Sequence, residues 1–354
     1  MTLVRKNIAA MQGYVPGEQP RGREYVKLNT NENPYPCSPA VKAAIGRVCT
    51  AGLQRYPDPQ ATEFRERAAE LFQKRLPAIT PDWILCGNGS DDVLTIVTRS
   101  FVDSGDVIRF PRPSYVLYET LASIQGATAE VVDFEPDWSL GERFTAPNDR
   151  LRLALLANPN SPSGTMIPPE AVARLAAALP CPLLVDEAYA DFADRDCLSL
   201  VADNERVLVS RSLSKSYSLA GLRFGFVVGQ PHVIEQLNKV KDSYNCDALS
   251  IAGATAALDD QRHFQRNRAA ILATRERLAG DLRKLGFECI DSQANFVWCR
   301  HPRHAARPLY EQLKAAGVLV RYMSYAGWGD GLRITVGSDD QVGVLLEKLG
   351  TLLA

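Results

Sequence analysis

The lysine at position 215 has the most distinctive chemical setting in the sequence. It stands in SLSKSYSLAGLRFGF (residues 212–226), a stretch of small hydroxyl residues, apolar residues and glycine that follows a β-branched run. Burial in such a setting lowers the pKa of an ammonium group, and a neutral amine can form a Schiff base with an aldehyde. Lys215 is therefore a candidate nucleophile. The motif alone is equally compatible with a surface lysine in a serine-rich loop.

An acidic residue, Asp186, ends an apolar run in the motif VDEAY (residues 185–189). The carboxyl end of a buried parallel strand lies at the crevice where open α/β sheets bind ligands. A carboxylate there is costly unless it faces a cation. Asp186 is thus a candidate partner for a positively charged group, or else an exposed strand-end or helix-capping aspartate.

The glycine-rich turn CGNGSDD (residues 86–92) follows one predicted strand and opens a helix. Glycines permit close backbone approach, and the free N–H groups at a helix start attract phosphate. The pattern is GxGxxD, not the dinucleotide pattern GxGxxG, and no Walker lysine follows. The turn indicates a phosphate but not a nucleotide, although an ordinary capped glycine turn has the same appearance.

A second turn, NPNSPSGT (residues 158–165), contains two prolines, two asparagines and a glycine. Such a turn is rigid and can direct polar side chains into a cleft, or it can be structural only. All four motifs follow strands of one α/β unit, so we expect them to meet at one crevice. A lysine for an imine, a carboxylate for a pyridinium nitrogen and amides for a phosphate predict pyridoxal phosphate.

The elements that must position these residues alternate between strands and helices from about residue 80 to 230, which indicates α/β units around a largely parallel sheet. Predicted helices begin near residues 90, 115 and 168. The predicted strands are WILC (83–86), VIRF (107–110), LRLALLA (151–157), PLLVDEAY (182–189), RVLVSRS (206–212) and RFGFVVG (223–229). Because these runs lack polar alternation, we expect helices on both faces of the sheet.

After residue 245 the pattern changes to that of a smaller α+β unit. One long helix is predicted over 249–285, with further helices near 306–316 and 338–352. The predicted short strands are ECI, NFVWC, GVLVRY and LRITVG. Residues 13–39 are rich in proline, glycine and asparagine, which predicts an extended arm.

Composition excludes several classes of protein. The chain has 354 residues, and 40 Lys and Arg against 41 Asp and Glu give a net charge of −1, so the overall basic charge of a nucleic-acid binder is missing. No apolar run is long enough to span a membrane, and no signal peptide is recognisable, so we expect a cytoplasmic protein. Eight scattered cysteines and four histidines show no metal-ligand spacing, so no metal site is predicted.

At these motifs the sequence resembles the fold-type I aminotransferases and, among them, the histidinol-phosphate aminotransferase family. The resemblance runs from LNTNENPYPCSP (28–39) to LRITVG (332–337). Between them RYPDPQ, GNGSDD, PRPSY, NPNSPSGT, VDEAYADF, SLSKSYSLAGLRFGF and ANFVW occur in the family's order. The resemblance implies a mostly parallel seven-stranded sheet with helices on both faces and a smaller α+β C-terminal domain. The implied divisions are an N-terminal arm with part of the small domain (1–45), a large cofactor-binding domain (46–247) and a small domain (248–354).

The resemblance also implies roles for the residues around the cofactor ring. Lys215 would bind the cofactor aldehyde and move the proton between substrate and cofactor. Asp186 would pair with the pyridinium nitrogen, Tyr189 would hydrogen-bond the ring oxygen O3′, and Tyr115 would stack on the ring. The family usually reads NPNNPTG where this chain has Ser161 for the second asparagine. The shorter Ser161 would therefore reach O3′ directly or through a water.

At the two ends of the site, the resemblance implies anion binding. The cofactor phosphate would be held by Ser90, Asp91, Ser212, Ser214 and Arg223. Tyr56 would reach the phosphate bound by the neighbouring subunit, which makes a homodimer with shared sites. Arg333 and Arg321 would bind the anionic group of the substrate, and Tyr14 would line the substrate pocket.

The implied activity is amine transfer from histidinol phosphate to 2-oxoglutarate, a step of histidine biosynthesis, with no nucleic acid or membrane as partner. Two alternatives share the fold: an aromatic amino acid aminotransferase and a threonine-phosphate decarboxylase. A nucleotide-dependent oxidoreductase is disfavoured by the GxGxxD turn. A non-catalytic regulator would need a DNA-binding appendage, and residues 1–40 match the arm of the enzymes.

Overall fold

A computed structural model describes residues 3–13, 17–19 and 24–353. Within these ranges the strands are β1 (Val26–Lys27), β2 (Ile84–Gly87), β3 (Val107–Arg112), β4 (Thr128–Asp133), β5 (Leu151–Ala157), β6 (Leu183–Asp186), β7 (Val207–Ser212), β8 (Gly225–Val228), β9 (Glu288–Cys289), β10 (Phe296–Arg300), β11 (Val318–Leu319), β12 (Arg321–Tyr325) and β13 (Gly329–Thr335).

The helices in the same ranges are α1 (Lys6–Ala10), α2 (Pro39–Ala51), α3 (Thr62–Phe72), α4 (Ser90–Phe101), α5 (Leu117–Gln125), α6 (Pro169–Ala178), α7 (Leu200–Asp203), α8 (Pro231–Asn238), α9 (Ala248–Asp259), α10 (Gln261–Lys284), α11 (Ala306–Ala315) and α12 (Asp339–Leu353). None of them is long and apolar enough to cross a membrane, for the part of the chain that the structure covers.

Seven strands form the central sheet, in the order β2-β8-β7-β6-β5-β3-β4. Strand β8 is antiparallel to both β2 and β7, whereas the other neighbouring pairs are parallel. The predicted mostly parallel sheet is therefore confirmed. Edge strand β4 was not predicted, because most of its side chains are partly or fully exposed and it lacks the buried apolar run of the inner strands.

Both faces of this sheet are covered by helices, as expected from strands without polar alternation. Along β5, Leu155 points into a core with α4, α5 and α8, while Leu156 points into a core with α3, α6 and α9. Successive strand side chains face opposite sides, so each buried strand contributes apolar residues to both cores.

The C-terminal part has a separate apolar core between the antiparallel sheet β12-β13-β10-β9 and helices α10, α11 and α12. The prediction of a single helix over residues 249–285 is wrong, because Asp260 interrupts it and separates α9 from α10. Its φ of −97° and ψ of 60° are not helical, and its side chain accepts a hydrogen bond from the N–H of His263 to cap α10.

The N-terminal region joins the C-terminal sheet. Strand β1 pairs in parallel with β11, and the N–H of Leu28 donates to the carbonyl of Leu319 at 2.7 Å. The described part of the predicted arm, residues 17–19 and 24–38, has only this short strand, in keeping with an extended segment. The predicted domain boundaries at 45 and 247 remain a prediction.

Candidate active site

A cavity of about 210 Å³ lies at the carboxyl ends of β5, β6 and β7, next to the start of α4. It brings together twelve of the residues that the sequence predicts for the site: Ser90, Asp91, Tyr115, Ser161, Asp186, Tyr189, Ser212, Ser214, Lys215, Arg223, Arg321 and Arg333. The four strand-following motifs therefore converge, because the carboxyl ends of parallel strands share one edge of the sheet.

Lys215 lies in the loop that follows β7, with its side chain partly exposed to the cavity. Its Nζ donates a hydrogen bond to the main-chain oxygen of Thr30 at 3.2 Å. Burial, with a smaller effect of the positive charge on Arg333, lowers the pKa of Lys215 from 10.5 to about 8. An appreciable fraction of this amine is thus neutral near physiological pH and able to act as a nucleophile or base.

Asp186 is the last residue of β6, and its side chain is only 5 % exposed. Burial raises its pKa from 3.8 to about 6, and the hydrogen bond from the Tyr118 hydroxyl opposes this rise. The Tyr118 Oη lies 3.0 Å from Oδ2 of Asp186, and Ser210 Oγ lies 3.3 Å from Oδ1. A buried carboxylate held in this way is suited to a cationic ring nitrogen in the cavity.

The start of α4 forms one end of the cavity. Its N-cap residue is Gly89, with a φ of 81° and no side chain to cap the first N–H groups. A Cβ on Gly225 would lie 2.7 Å from the main-chain nitrogen of Ser90, so the backbones approach closely here. Arg223 lies beside this helix start, 3.4 Å from Asp91 and 3.5 Å from the Ser214 hydroxyl. Uncapped amides, hydroxyls and a guanidinium form a binding site for a phosphate.

Two tyrosines border the cavity between the helix start and Asp186. Tyr115 Oη donates to Oδ1 of Asp91 at 3.0 Å. Tyr189 accepts a hydrogen bond from Asn31 Nδ2 at 2.9 Å on its hydroxyl, and its ring packs edge-on against Phe296 with centroids 5.1 Å apart. The packing and the hydrogen bonds fix both phenol rings in orientation.

Arg333 and Arg321 form the opposite end of the cavity, as register partners on β13 and β12. Arg333 donates to Ser161 Oγ at 2.9 Å and to the main-chain oxygen of Asn29 at 3.1 Å. Its guanidinium also lies over the ring of Phe296, 5.3 Å from the centroid. Ser161 is therefore bound to the arginine from the small C-terminal sheet, a contact that the sequence did not reveal.

One predicted residue, Tyr56, does not line this cavity. Tyr56 is 79 % exposed, and its ring stacks on that of Tyr244 with centroids 4.4 Å apart. Tyr14 lies outside the described residues. The predicted contact of Tyr56 with a second subunit stays a prediction.

Sequence reasoning missed several residues that contact the predicted ones. Tyr118 is fully buried in the first turn of α5, three residues after Tyr115, and the sequence around it carries no signal that its hydroxyl reaches Asp186. Asn31 and Thr30 belong to LNTNENP, which carried the family resemblance but no predicted role. Nothing in the local sequence shows that this distant segment returns to Lys215.

These residues fit pyridoxal phosphate as predicted. The lysine amine of lowered pKa suits the aldehyde, and the buried Asp186 carboxylate suits the ring nitrogen. The uncapped start of α4 beside Arg223 suits the phosphate. The two arginines place positive charge on the same cavity.

Comparison with known proteins agrees with this geometry. Residues 23–349 match the family model for aminotransferase class I and II. The chain is 53% identical to a histidinol-phosphate aminotransferase of Rhodopirellula baltica over 338 residues, which cover 96% of this chain and 92% of the relative. It is 43% identical to histidinol-phosphate aminotransferase 1 of Trichormus variabilis, over 99% of this chain and 98% of the relative.

A solved structure has the same fold over its whole length. The histidinol-phosphate aminotransferase of Sinorhizobium meliloti, crystallised in complex with pyridoxal-5′-phosphate, superposes with a TM-score of 0.88 at 25% identity and 99% coverage of both chains. With the family model spanning nearly the entire sequence, this chain belongs to the class I and II aminotransferase family.

Proposed function

We propose that the protein is a pyridoxal-phosphate-dependent aminotransferase that converts histidinol phosphate and 2-oxoglutarate into imidazole-acetol phosphate and glutamate. The observation that carries the proposal is the arrangement of Lys215 and Asp186 in one cavity between an uncapped helix start and a pair of arginines. The full-length relatives that carry this enzyme's name support the choice of substrate.

In this proposal the residues of the chain divide the work. When bound, pyridoxal phosphate supplies an aldehyde for amine exchange and a ring that accepts electron density. The Nζ of Lys215 would hold that aldehyde, and the same amine would serve as the base that moves the proton at the substrate Cα. Asp186 keeps a proton on the ring nitrogen by its negative charge, and Tyr189 orients the ring oxygen.

Anion recognition takes place at both ends of the cavity. At the helix start the amides of Ser90 and Asp91, helped by Arg223 and two serines, bind the cofactor phosphate. At the other end Arg333 and Arg321 bind either the substrate phosphate or the α-carboxylate of glutamate, because a guanidinium pairs with both planar and tetrahedral anions.

A homodimer with shared active sites belongs to the same proposal. Tyr56 and Tyr244 form an exposed aromatic pair, and neither faces the cavity of its own chain. Tyr56 would bind the phosphate in the site of the second subunit. A cytoplasmic location, and the division into a large and a small domain, are also proposed.

The experiment that tests the function offers the purified holoenzyme four amines: histidinol phosphate, phenylalanine, tyrosine and threonine phosphate. Single-turnover changes in cofactor absorbance report amine transfer, and the Lys215→Ala variant serves as control. Histidinol phosphate should react with the highest kcat/KM. A preference for an aromatic amino acid would replace the proposed substrate, and carbon dioxide release from threonine phosphate would replace the reaction.

A further inference from the structure

Residues 29–33, with the sequence NTNEN, form a strap beside the cavity, and Asn29, Thr30 and Asn31 line it. Asparagine occupies every second position of the strap. Each of the three asparagines contacts a different part of the site, Asn29 through its main-chain oxygen and the other two through their side chains.

On one side the strap is bound to the C-terminal sheet. The N–H of Asn31 donates to Thr335 Oγ1 at 2.9 Å, and Asn295 Nδ2 donates to the main-chain oxygen of Asn31 at 3.0 Å. The main-chain oxygen of Asn29 accepts from Arg333 at 3.1 Å. The position of the strap is therefore tied to the strand that carries the anion-binding arginine.

On the other side the strap is bound to the residues that handle the cofactor. Asn31 Nδ2 donates to Tyr189 Oη at 2.9 Å, and Asn33 Nδ2 donates to the main-chain oxygen of Lys215 at 2.9 Å. The Nζ of Lys215 in turn donates to the main-chain oxygen of Thr30. One short segment thus links the reactive lysine, the tyrosine and Arg333.

The backbone at Asn31 explains why an asparagine suits this position. Its φ is 55°, in the left-handed region, where glycine, asparagine and aspartate are found far more often than other residues. Of these three, only asparagine also supplies an N–H donor, which the bond to Tyr189 requires.

We infer that Asn31 and Asn33 are positioning residues that hold the hydroxyl of Tyr189 and the main chain of Lys215 at a fixed place relative to Arg333. The strap thereby sets the spacing between the amine that reacts and the guanidinium that binds the substrate anion. This inference deepens the proposed function and rests on it for the identity of the substrate.

A double-mutant cycle between Asn31 and Tyr189 tests the first half. Asn31→Gly keeps the left-handed backbone and both main-chain hydrogen bonds, but it removes the donor to Tyr189. It also removes the Oδ1 atom that accepts from Thr335 Oγ1 at 3.1 Å, a loss that is the same in both backgrounds of the cycle and therefore cancels. We expect kcat/KM to fall roughly five- to tenfold in the wild-type background, and by less than about twofold in the Tyr189→Phe background. An equal loss in both backgrounds would show that Asn31 does not act through Tyr189.

Chemical labelling of the cofactor-free enzyme tests the second half without any turnover. In the wild type, Asn33 Oδ1 accepts a hydrogen bond from the N–H of Tyr35 at 3.0 Å. Asn33→Ser retains an oxygen for this bond, but it loses the Nδ2 donor to the main-chain oxygens of Lys215 and Ser216. Labelling by trinitrobenzenesulfonate as a function of pH, followed by peptide mapping, gives the pKa of Lys215. We expect the midpoint to rise from near 8 by roughly one pH unit, because a released loop admits water.

Asn204→Ser is the matched control, since Asn204 Oδ1 accepts from the N–H of Arg206 in a turn of the same kind away from the cavity. It should leave the Lys215 midpoint unchanged. The exposed Lys239 is the internal reference for the reagent, and circular dichroism of each variant checks for general unfolding. A wild-type midpoint in Asn33→Ser would overturn the inference for Asn33. If the wild-type enzyme rejected histidinol phosphate, only the proposed function would fail, because this labelling needs no substrate.

Discussion

The hydroxyl of Tyr118 donates a 3.0 Å hydrogen bond to Oδ2 of Asp186, and both side chains are buried. Tyr118 is on α5, whereas Asp186 ends β6, so the contact joins a helix covering the sheet to the strand end in the cavity. Burial raises the pKa of Asp186 to about 6, and the tyrosine donor limits that rise. The protonation state of Asp186 therefore depends on a residue outside the motif VDEAY.

Replacing Asp186 by asparagine should separate stability from turnover. The folded pKa of about 6 lies above the ordinary 3.8, so folding favours the protonated form of Asp186. In the cofactor-free protein, the contribution of this side chain to stability is therefore greatest below pH 4 and is lost as the pH rises through 6. Asp186→Asn should therefore raise the free energy of unfolding at pH 7 by about 1–3 kcal/mol. Turnover should collapse, since an amide has no charge to keep the ring nitrogen protonated.

Urea unfolding of the cofactor-free protein at pH 4 and pH 7 measures the first effect. At pH 4 the gain over wild type should be much smaller, because the wild-type carboxyl is then protonated. A variant that is destabilised equally at both pH values, with turnover near that of wild type, would make Asp186 a purely structural residue.

Tyr118→Phe should shift the titration of Asp186 upward. Without the donor, the carboxylate loses a hydrogen bond that favours its charged form, so its pKa rises above about 6. In the cofactor-free protein, the decline of stability with rising pH should then extend to higher pH than in wild type. Urea midpoints between pH 5 and pH 8 measure this shift. Asp186→Asn/Tyr118→Phe is the control, because it has no carboxylate to titrate and should show no such displacement.

The sequence predicted the place of the site residues in the fold better than the contacts between them. Lys215, Asp186 and the helix start at Ser90 each follow an apolar strand, and parallel strands must place such ends at one edge. Interruptions of helices and weak edge strands were harder to predict. Asp260 separates α9 from α10, although no glycine or proline marks the break. The exposed edge strand β4 lacks the buried run that marks β5 and β7.

Contacts between distant segments were beyond local reasoning. The bond from Asn33 to the main chain of Lys215 spans 182 positions, and that from Arg333 to Ser161 spans 172. Neither has a local periodicity or turn signal, because such pairs depend on how the N-terminal segment and the C-terminal sheet pack against the large sheet. Ser161 illustrates this point, since the sequence predicts a contact with the cofactor oxygen, and only the fold adds Arg333.

Lys215→Ala should lower turnover by many powers of ten, because it removes both the amine that binds the aldehyde and the base that moves the proton. Borohydride reduction of the wild-type holoenzyme, followed by peptide mapping, should place the cofactor on Lys215. The exposed Lys239→Ala variant should label and turn over as wild type does. Cofactor attached to another lysine would exclude Lys215 from the assigned role.

Mixed dimers test whether the sites are shared. Tyr56→Phe should weaken cofactor binding by roughly 1.5–3 kcal/mol, the value of a hydrogen bond to a charged group. When Tyr56→Phe is mixed with Lys215→Ala under subunit exchange, one site of the mixed dimer carries both changes and the other carries neither. Activity should then exceed that of either parent. No gain despite proven exchange would argue that Tyr56 acts within its own chain.

Arg333→Lys should impair both half-reactions. The guanidinium now donates to Ser161 and to the main chain of Asn29, and its planar group can pair with a carboxylate or a phosphate through two N–H groups. A lysine offers a point charge and cannot keep these bonds at once. Single-turnover rates with histidinol phosphate, and with 2-oxoglutarate on the amine-loaded enzyme, should both fall. A loss confined to one substrate would restrict Arg333 to that half-reaction.

Arg321→Ala should instead discriminate between substrates. Arg321 lies opposite Arg333 in the register of β12 and β13 and lines the same cavity. A substrate phosphate is dianionic near neutral pH, so removing one of two guanidinium groups leaves charge under-neutralised in a partly desolvated site. We expect kcat/KM to fall more for histidinol phosphate than for phenylalanine, whose side chain is uncharged, in parallel single-turnover measurements.

Arg307→Ala, on the exposed surface of α11, is the matched control and should leave both values unchanged. Equal losses for the two amines would remove Arg321 from substrate discrimination and would favour an aromatic amino acid as the substrate.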